Sequence, residues 1–119
     1  MSANVKIVNL GGRITLPRIE EINTLLKDEI DASPAVLVSL SRAEEIDLAG
    51  VQLLYAARRY ANSRERTMHI TGTVPEAIAE RLYRSGFTSS IIRDGKELDE
   101  NLHEFDVTAV AGEEDRTDA

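Results

Sequence analysis

The stretch Val5-Lys6-Ile7-Val8-Asn9-Leu10 alternates apolar and polar side chains, the pattern of a strand with one buried face. Gly11-Gly12 then marks a bulge or turn. Arg13-Ile14-Thr15-Leu16 reads either as a short second strand or as the entry to a helix. Pro17 suits the first turn of that helix, where its missing N–H costs nothing. Ile19, Ile22, Leu25, Leu26 and Ile30 recur at helical spacing, with Glu20, Glu21, Lys27, Asp28 and Glu29 between them. This helix is expected to end near Asp31, ahead of Ser33-Pro34, because a residue before proline avoids the helical region.

Ala35 to Ser41 is the most apolar strand-like run, which places it centrally in a sheet. Asp47 is a good N-cap for an amphipathic helix from Val51 to about Ala61, with Val51, Leu54, Tyr55 and Arg58 on one face and Leu53, Ala56, Ala57 and Tyr60 widening the stripe. Arg66 to Thr71 is a further strand, ended by Gly72. Thr73 is read as the cap of a helix from Val74 to Ser85, with Pro75 at its start, Ala77, Ile78, Leu82 and Tyr83 on its buried face, and Gly86 closing it. Ser90-Ile91-Ile92 reads as a last short strand, Asp94-Gly95 as a turn, and Leu98, Leu102 and Phe105 as a final short helix. Alternation of strands with helices implies a mainly parallel sheet, and its crossovers are expected to be right-handed.

Composition narrows the function classes. With 119 residues the chain is expected to form one domain, over residues 1–111. Residues 112–119 carry Glu113, Glu114, Asp115 and Asp118 against Arg116, and are read as an acidic, disordered tail. No apolar run approaches the roughly 20 residues that span a bilayer, so membrane insertion is not expected. The start of the chain lacks the basic and apolar regions of a signal peptide. The absence of cysteine makes a cytoplasmic location the default. A formal net charge of −7 argues against nucleic acid as a partner. The basic residues Arg58, Arg59, Arg64 and Arg66 are read mainly as cations offsetting a helix C-terminus, with an acidic docking partner as the other reading.

The segment Glu45-Ile46-Asp47-Leu48-Ala49-Gly50-Val51-Gln52-Leu53-Leu54, which follows the strand Val36-Leu37-Val38-Ser39-Leu40-Ser41, resembles the signature turn and helix start of the STAS domain (sulfate transporter and anti-sigma factor antagonist). The resemblance runs from Val5 to about Phe105. It includes the strand leading into Gly12-Arg13-Ile14, the strand and loop Met68-His69-Ile70-Thr71-Gly72 with Val74-Pro75, and the helix from Ile78 to Gly86-Phe87. It departs from the family pattern at Ser39 and Ser41, and the family's extra first strand is expected to be truncated or absent. The fold implied is a single α/β domain with a mainly parallel central sheet of about four strands packed with about four helices.

In switchable members of that family the residue after the Asp is a serine or threonine that a kinase phosphorylates. Here it is Leu48, which cannot accept phosphate. The resemblance implies a partner-binding surface at Asp47, Leu48, Ala49 and Gly50, with Arg42, Glu44, Glu45 and Gln52 nearby. The residues alone also allow a simpler reading, in which Asp47 is a cap, Leu48 packs beneath the turn, and Gly50 permits close helix–sheet approach. Ser41 is the nearest upstream hydroxyl and a poor substitute phosphosite.

Other chemistry is sparse. His69 and His103 lack metal-ligand spacing. Glu20-Glu21 and Glu44-Glu45 read as solvated faces, and Gly11-Gly12 lacks the Lys and Ser/Thr of a phosphate loop. No enzyme, metal or cofactor is expected. The resemblance implies instead a protein-interaction module of the anti-sigma factor antagonist type, binding an anti-sigma factor or kinase-like ATPase, or a chemotaxis component, without the phosphate switch. The alternative is a STAS subunit of an ABC-type lipid transport complex. A homodimer through an exposed sheet edge is a further expectation.

Overall fold

In the computed structural model of the chain, which describes residues 5–101, the alternating N-terminal run is a strand, β1 (Val5–Asn9), with Val8 buried. The chain passes through Gly11 into a short strand, β2 (Gly12–Ile14), which resolves the choice left open at Arg13-Ile14. Pro17 sits in a separate turn of 3-10 helix, Leu16–Arg18, and the α-helix proper, α1 (Ile19–Ala32), follows it. Ile22, Leu26 and Ile30 form the buried stripe of α1, whereas Leu25 lies outside it and is exposed.

The apolar run is β3 (Ala35–Ser39), and it stops before Ser41. A further strand, β4 (Ala43–Ile46), has no counterpart among the elements read from the sequence. It is followed by α2 (Leu48–Ser63), β5 (Thr67–Thr71) and α3 (Glu76–Arg84). Residues 95–101 form a fourth helix, α4, within the described region. Leu102, Phe105, His103 and the acidic tail at 112–119 lie outside the described residues.

Among the described residues all strand pairs are parallel. β3 lies between β1 and β5 in one sheet, and β2 pairs with β4 in a second. The expected single sheet of about four strands is therefore two sheets, of three and two strands. The crossovers β1–α1–β3 and β3–α2–β5 step the same way across the larger sheet, so α1 and α2 pack together on one face. Val8, Val36, Val38, Met68 and Ile70 meet those helices and are buried. Burying each such side chain stabilises the fold by about 1.5–3 kcal/mol.

Several local expectations are corrected. Thr73 does not cap α3; Pro75 occupies the N-cap, and Thr73 instead forms an isolated antiparallel bridge to Asp94. Ala77 and Tyr83 are exposed on α3, and Ala79 joins Ile78 and Leu82 in the core. Ser90-Ile91-Ile92 forms no strand; its contribution to the core is Ile92 alone. Gly86 does close α3, with φ +84°, while Phe87 N–H donates to the Leu82 carbonyl at 2.9 Å.

Arg58 departs from both readings of the basic cluster, since it is buried at 5% exposure. Its guanidinium grips the Asp99 carboxylate of α4, which also accepts from the Ile70 N–H at 2.8 Å and contacts His69 Nδ1 at 2.9 Å. One carboxylate thus fastens α4 to both α2 and the edge of β5. Arg64, at the end of α2, lies over the Tyr60 ring at 4.9 Å, with Lys27 at 5.2 Å from the same ring. The Tyr60 hydroxyl donates to Asp31 at 2.8 Å. That hydrogen bond to a carboxylate is the main reason the phenol titrates above its ordinary value.

Candidate protein-docking site

β2 and β4 continue the chain beyond the ends of β1 and β3, and together they carry the Asp47 turn. Ile14 and Ile46, paired across the two strands, are fully buried beneath it. Asp47 has extended backbone (φ −117°, ψ −174°) and caps α2. Its Oδ1 accepts from the Gly50 N–H at 2.9 Å, and its Oδ2 accepts from the Leu16 N–H at 3.0 Å. Both carboxylate oxygens are thereby engaged, one within the turn and one in the segment that follows β2.

Gly50 is where the helix comes closest to the sheet. A Cβ there would lie 2.2 Å from the Ile14 carbonyl oxygen and 2.8 Å from Ile46 Cγ1. Asp47 and Gly50 accordingly shape the turn from inside. Leu48 points the other way, at 55% exposure. Of the two readings open in the sequence, the core role is excluded.

Leu48 stands at the edge of a groove of about 240 Å3 that also includes Ile46, Asp47, Val51, Arg81 and Phe87. Leu82 and Ser85 complete its wall on the α3 side. The groove runs between the start of α2 and the end of α3, with Asp47 and Arg81 as its charged members. Of the eight residues expected at the surface, the structure brings only Asp47 and Leu48 to this groove. Ala49 is half-buried and Gly50 buried, while Gln52 is exposed one helical turn beyond Leu48. Arg42, Glu44 and Glu45 are exposed, and Glu45 pairs with Arg13 at 3.5 Å.

Six groove residues lie outside the surface expected from the sequence: Ile46, Val51, Arg81, Leu82, Ser85 and Phe87. Arg81 and Ser85 are four apart on α3, so they share a face, and Gly86 reverses the chain to bring in Phe87. Ser41 is not part of the groove, and its hydroxyl lies 3.0 Å from that of Ser39. Among the described residues, no cluster of three or more His, Asp or Glu side chains is arranged to hold a metal ion. Nor is any helix among them long and apolar enough to cross a membrane.

Comparison with known proteins identifies the fold. The family profile described as "Mlab, STAS domain" matches residues 1–93, and the chain belongs to the STAS family. Among solved structures, the anti-sigma factor antagonist SpoIIAA in its unphosphorylated form is similar, with TM-score 0.54 and 16% identity, over 72% of this chain and 78% of that one. A sulfate transporter family protein from Wolinella succinogenes has TM-score 0.52 and 18% identity, over 74% of this chain and 71% of that one. A structure titled "Crystal Structure Analysis of Mglu" has TM-score 0.54 and 22% identity, over 66% of this chain but only 19% of that one. No curated protein matches the sequence significantly. At these identities the structural likeness speaks to the fold, which is the α/β fold expected.

Proposed function

We propose that the chain is a protein-binding module of the anti-sigma factor antagonist type, which docks its partner through Leu48 and the groove beside it and is not switched by phosphate on the turn. The observation that carries this reading is the exposure of Leu48, a large apolar side chain held outward by a turn whose Asp47 and Gly50 are committed inward. A leucine at the rim of an apolar groove extends the apolar surface that the groove offers to a partner. In switchable relatives, phosphate at this position would bring about −2 charge to the interface. Leu48 removes that control, so regulation acts through the partner or its abundance. The role proposed is binding, with no catalytic step.

The partner class proposed is an anti-sigma factor or kinase-like ATPase, or a chemotaxis component. A transport assembly is the second reading, supported by the structural similarity to a sulfate transporter family protein; an ABC-type lipid transport complex is the form it would take. Affinity capture of the tagged chain from its native cells, with mass spectrometry, separates the two. Recovery of a kinase-like ATPase or chemotaxis component supports the signalling reading. Recovery of a transporter ATPase moves the chain to the second.

The homodimer remains a proposal supported by β1. Among the described residues this strand bonds only to β3, and Val5 and Ile7 are exposed on the face of β1 opposite Val8. Sedimentation velocity at tens of micromolar tests it, and a monomer mass there removes it.

A further inference from the structure

A second pocket, of about 270 Å3, lies between the loop that follows α3 and one face of α4. Thr88, Ser89 and Ser90 supply its loop side, and Glu97, Glu100 and Asn101 its helix side. The three helix residues stand at i, i+3 and i+4, the spacing that gathers side chains on one face. The pocket adjoins the docking groove, because the Phe87 carbonyl accepts from Asn101 Nδ2 at 2.6 Å.

Its bonding is unbalanced. Thr88 is only 6% exposed, yet among the described residues its Oγ1 has no hydrogen-bond partner. A buried hydroxyl left in this way is uncommon and costs stability. Glu97 Oε1 accepts from the Arg93 N–H at 2.7 Å, and among the described residues its second oxygen is in no such bond. Among the described residues, no Lys or Arg forms an ion pair with Glu97 or Glu100. Asn101 has committed an N–H to Phe87, which leaves its carbonyl oxygen as an acceptor. The lining therefore offers two carboxylates, an amide oxygen and three hydroxyls, with no cationic side chain among them.

We propose that this pocket binds a guanidinium group, presented as an arginine side chain by a protein partner. A guanidinium carries five N–H donors in a plane and is less strongly hydrated than an ammonium, so it suits acceptors spread around a pocket. Its charge complements the two carboxylates, and the bonds it forms with them are charge-assisted. A hard divalent cation suits the site less well. Such ions take six or more oxygen ligands at short range, whereas only two carboxylates are present, in a space far larger than one ion. Thr88 Oγ1 is enclosed in the pocket wall and gains the partner it lacks when its side chain turns toward a bound guanidinium. The inference rests on this bonding and not on the docking role of Leu48.

The test is an NMR titration of the 15N-labelled full chain with N-acetyl-arginine amide. Saturable shifts confined to Thr88–Ser90 and residues 97–101 are expected, with affinity lowered about tenfold in Glu100→Gln. Glu97→Gln keeps an oxygen for the Arg93 N–H and is expected to weaken binding without unfolding the loop. Thr88→Val is expected to weaken binding while leaving the thermal midpoint unchanged or higher, since it removes an unpartnered hydroxyl. Shifts that do not saturate, or that spread over the acidic surface, would overturn the proposal. So would equal or tighter binding of N-acetyl-lysine amide or magnesium at the same residues.

Discussion

Asp47 and Gly50 hold one another in place: the carboxylate of Asp47 accepts from the Gly50 N–H at 2.9 Å, and the missing side chain of Gly50 lets the turn rest against the Ile14 carbonyl. The same carboxylate reaches the Leu16 N–H at 3.0 Å. One residue thus joins the start of α2 to the segment after β2, and the residue between this cap and its glycine that is most exposed is Leu48. The turn is a rigid mount, and Leu48 is what it presents.

Gly50→Ala is expected to destabilise the protein by about 3 kcal/mol or more, because the Ile14 carbonyl is backbone and cannot move aside without breaking the β2–β4 pair. Asp47→Ala is expected to cost about 1–2 kcal/mol through the lost cap, with the Leu16 N–H released as well. Urea denaturation of both variants checks the order. A Gly50→Ala protein as stable as the parent would mean that the close approach is not present in solution.

Much of this arrangement was legible in the sequence. The apolar run at Val5–Asn9, helical spacing through Ile22, Leu26 and Ile30, and an Asp followed three residues later by a Gly are local patterns, and each became the element they imply, although β1 buries Val8 and leaves Val5 and Ile7 exposed. β4 was not legible, because its burial runs buried, exposed, exposed, buried, with Glu44 and Glu45 adjacent on the outside. A register shift between Gly12 and Arg13 in the partner strand accompanies that broken alternation. The groove was only half legible. Asp47 and Leu48 announce themselves through the family resemblance, whereas Arg81 and Phe87 reach the site only once α3 packs on β4.

Arg58 shows the same limit from the side of charge. In sequence it belongs to a run of cations, and nothing nearby identifies its partner, which is 41 residues away. Asp99→Ala is expected to cost about 1–3 kcal/mol, because the buried Arg58 guanidinium and the Ile70 N–H both lose the carboxylate they share. Hydrogen exchange would show the loss first at the Ile70 amide, which donates to the same carboxylate. Unchanged protection there would argue against the fastening of α4 to β5.

Tyr60 gives a prediction in pH. Its hydroxyl donates to Asp31, which favours the neutral phenol and raises its pKa in the folded state. A raised folded pKa means that this contribution to stability is complete below the unfolded value of about 10 and is lost as pH rises through the folded value. In Asp31→Asn, the Tyr60 titration followed by 13C NMR is expected to move downward. No movement would show that the hydrogen bond does not form in solution.

The most direct test of the docking account is the affinity of Leu48→Asp for the captured partner, measured alongside its thermal midpoint. Because Leu48 is 55% exposed, the account predicts a midpoint close to the parent's and binding weakened by about tenfold or more. Undiminished binding together with a steep fall in the midpoint would contradict it, placing Leu48 in the core and the partner elsewhere on the domain.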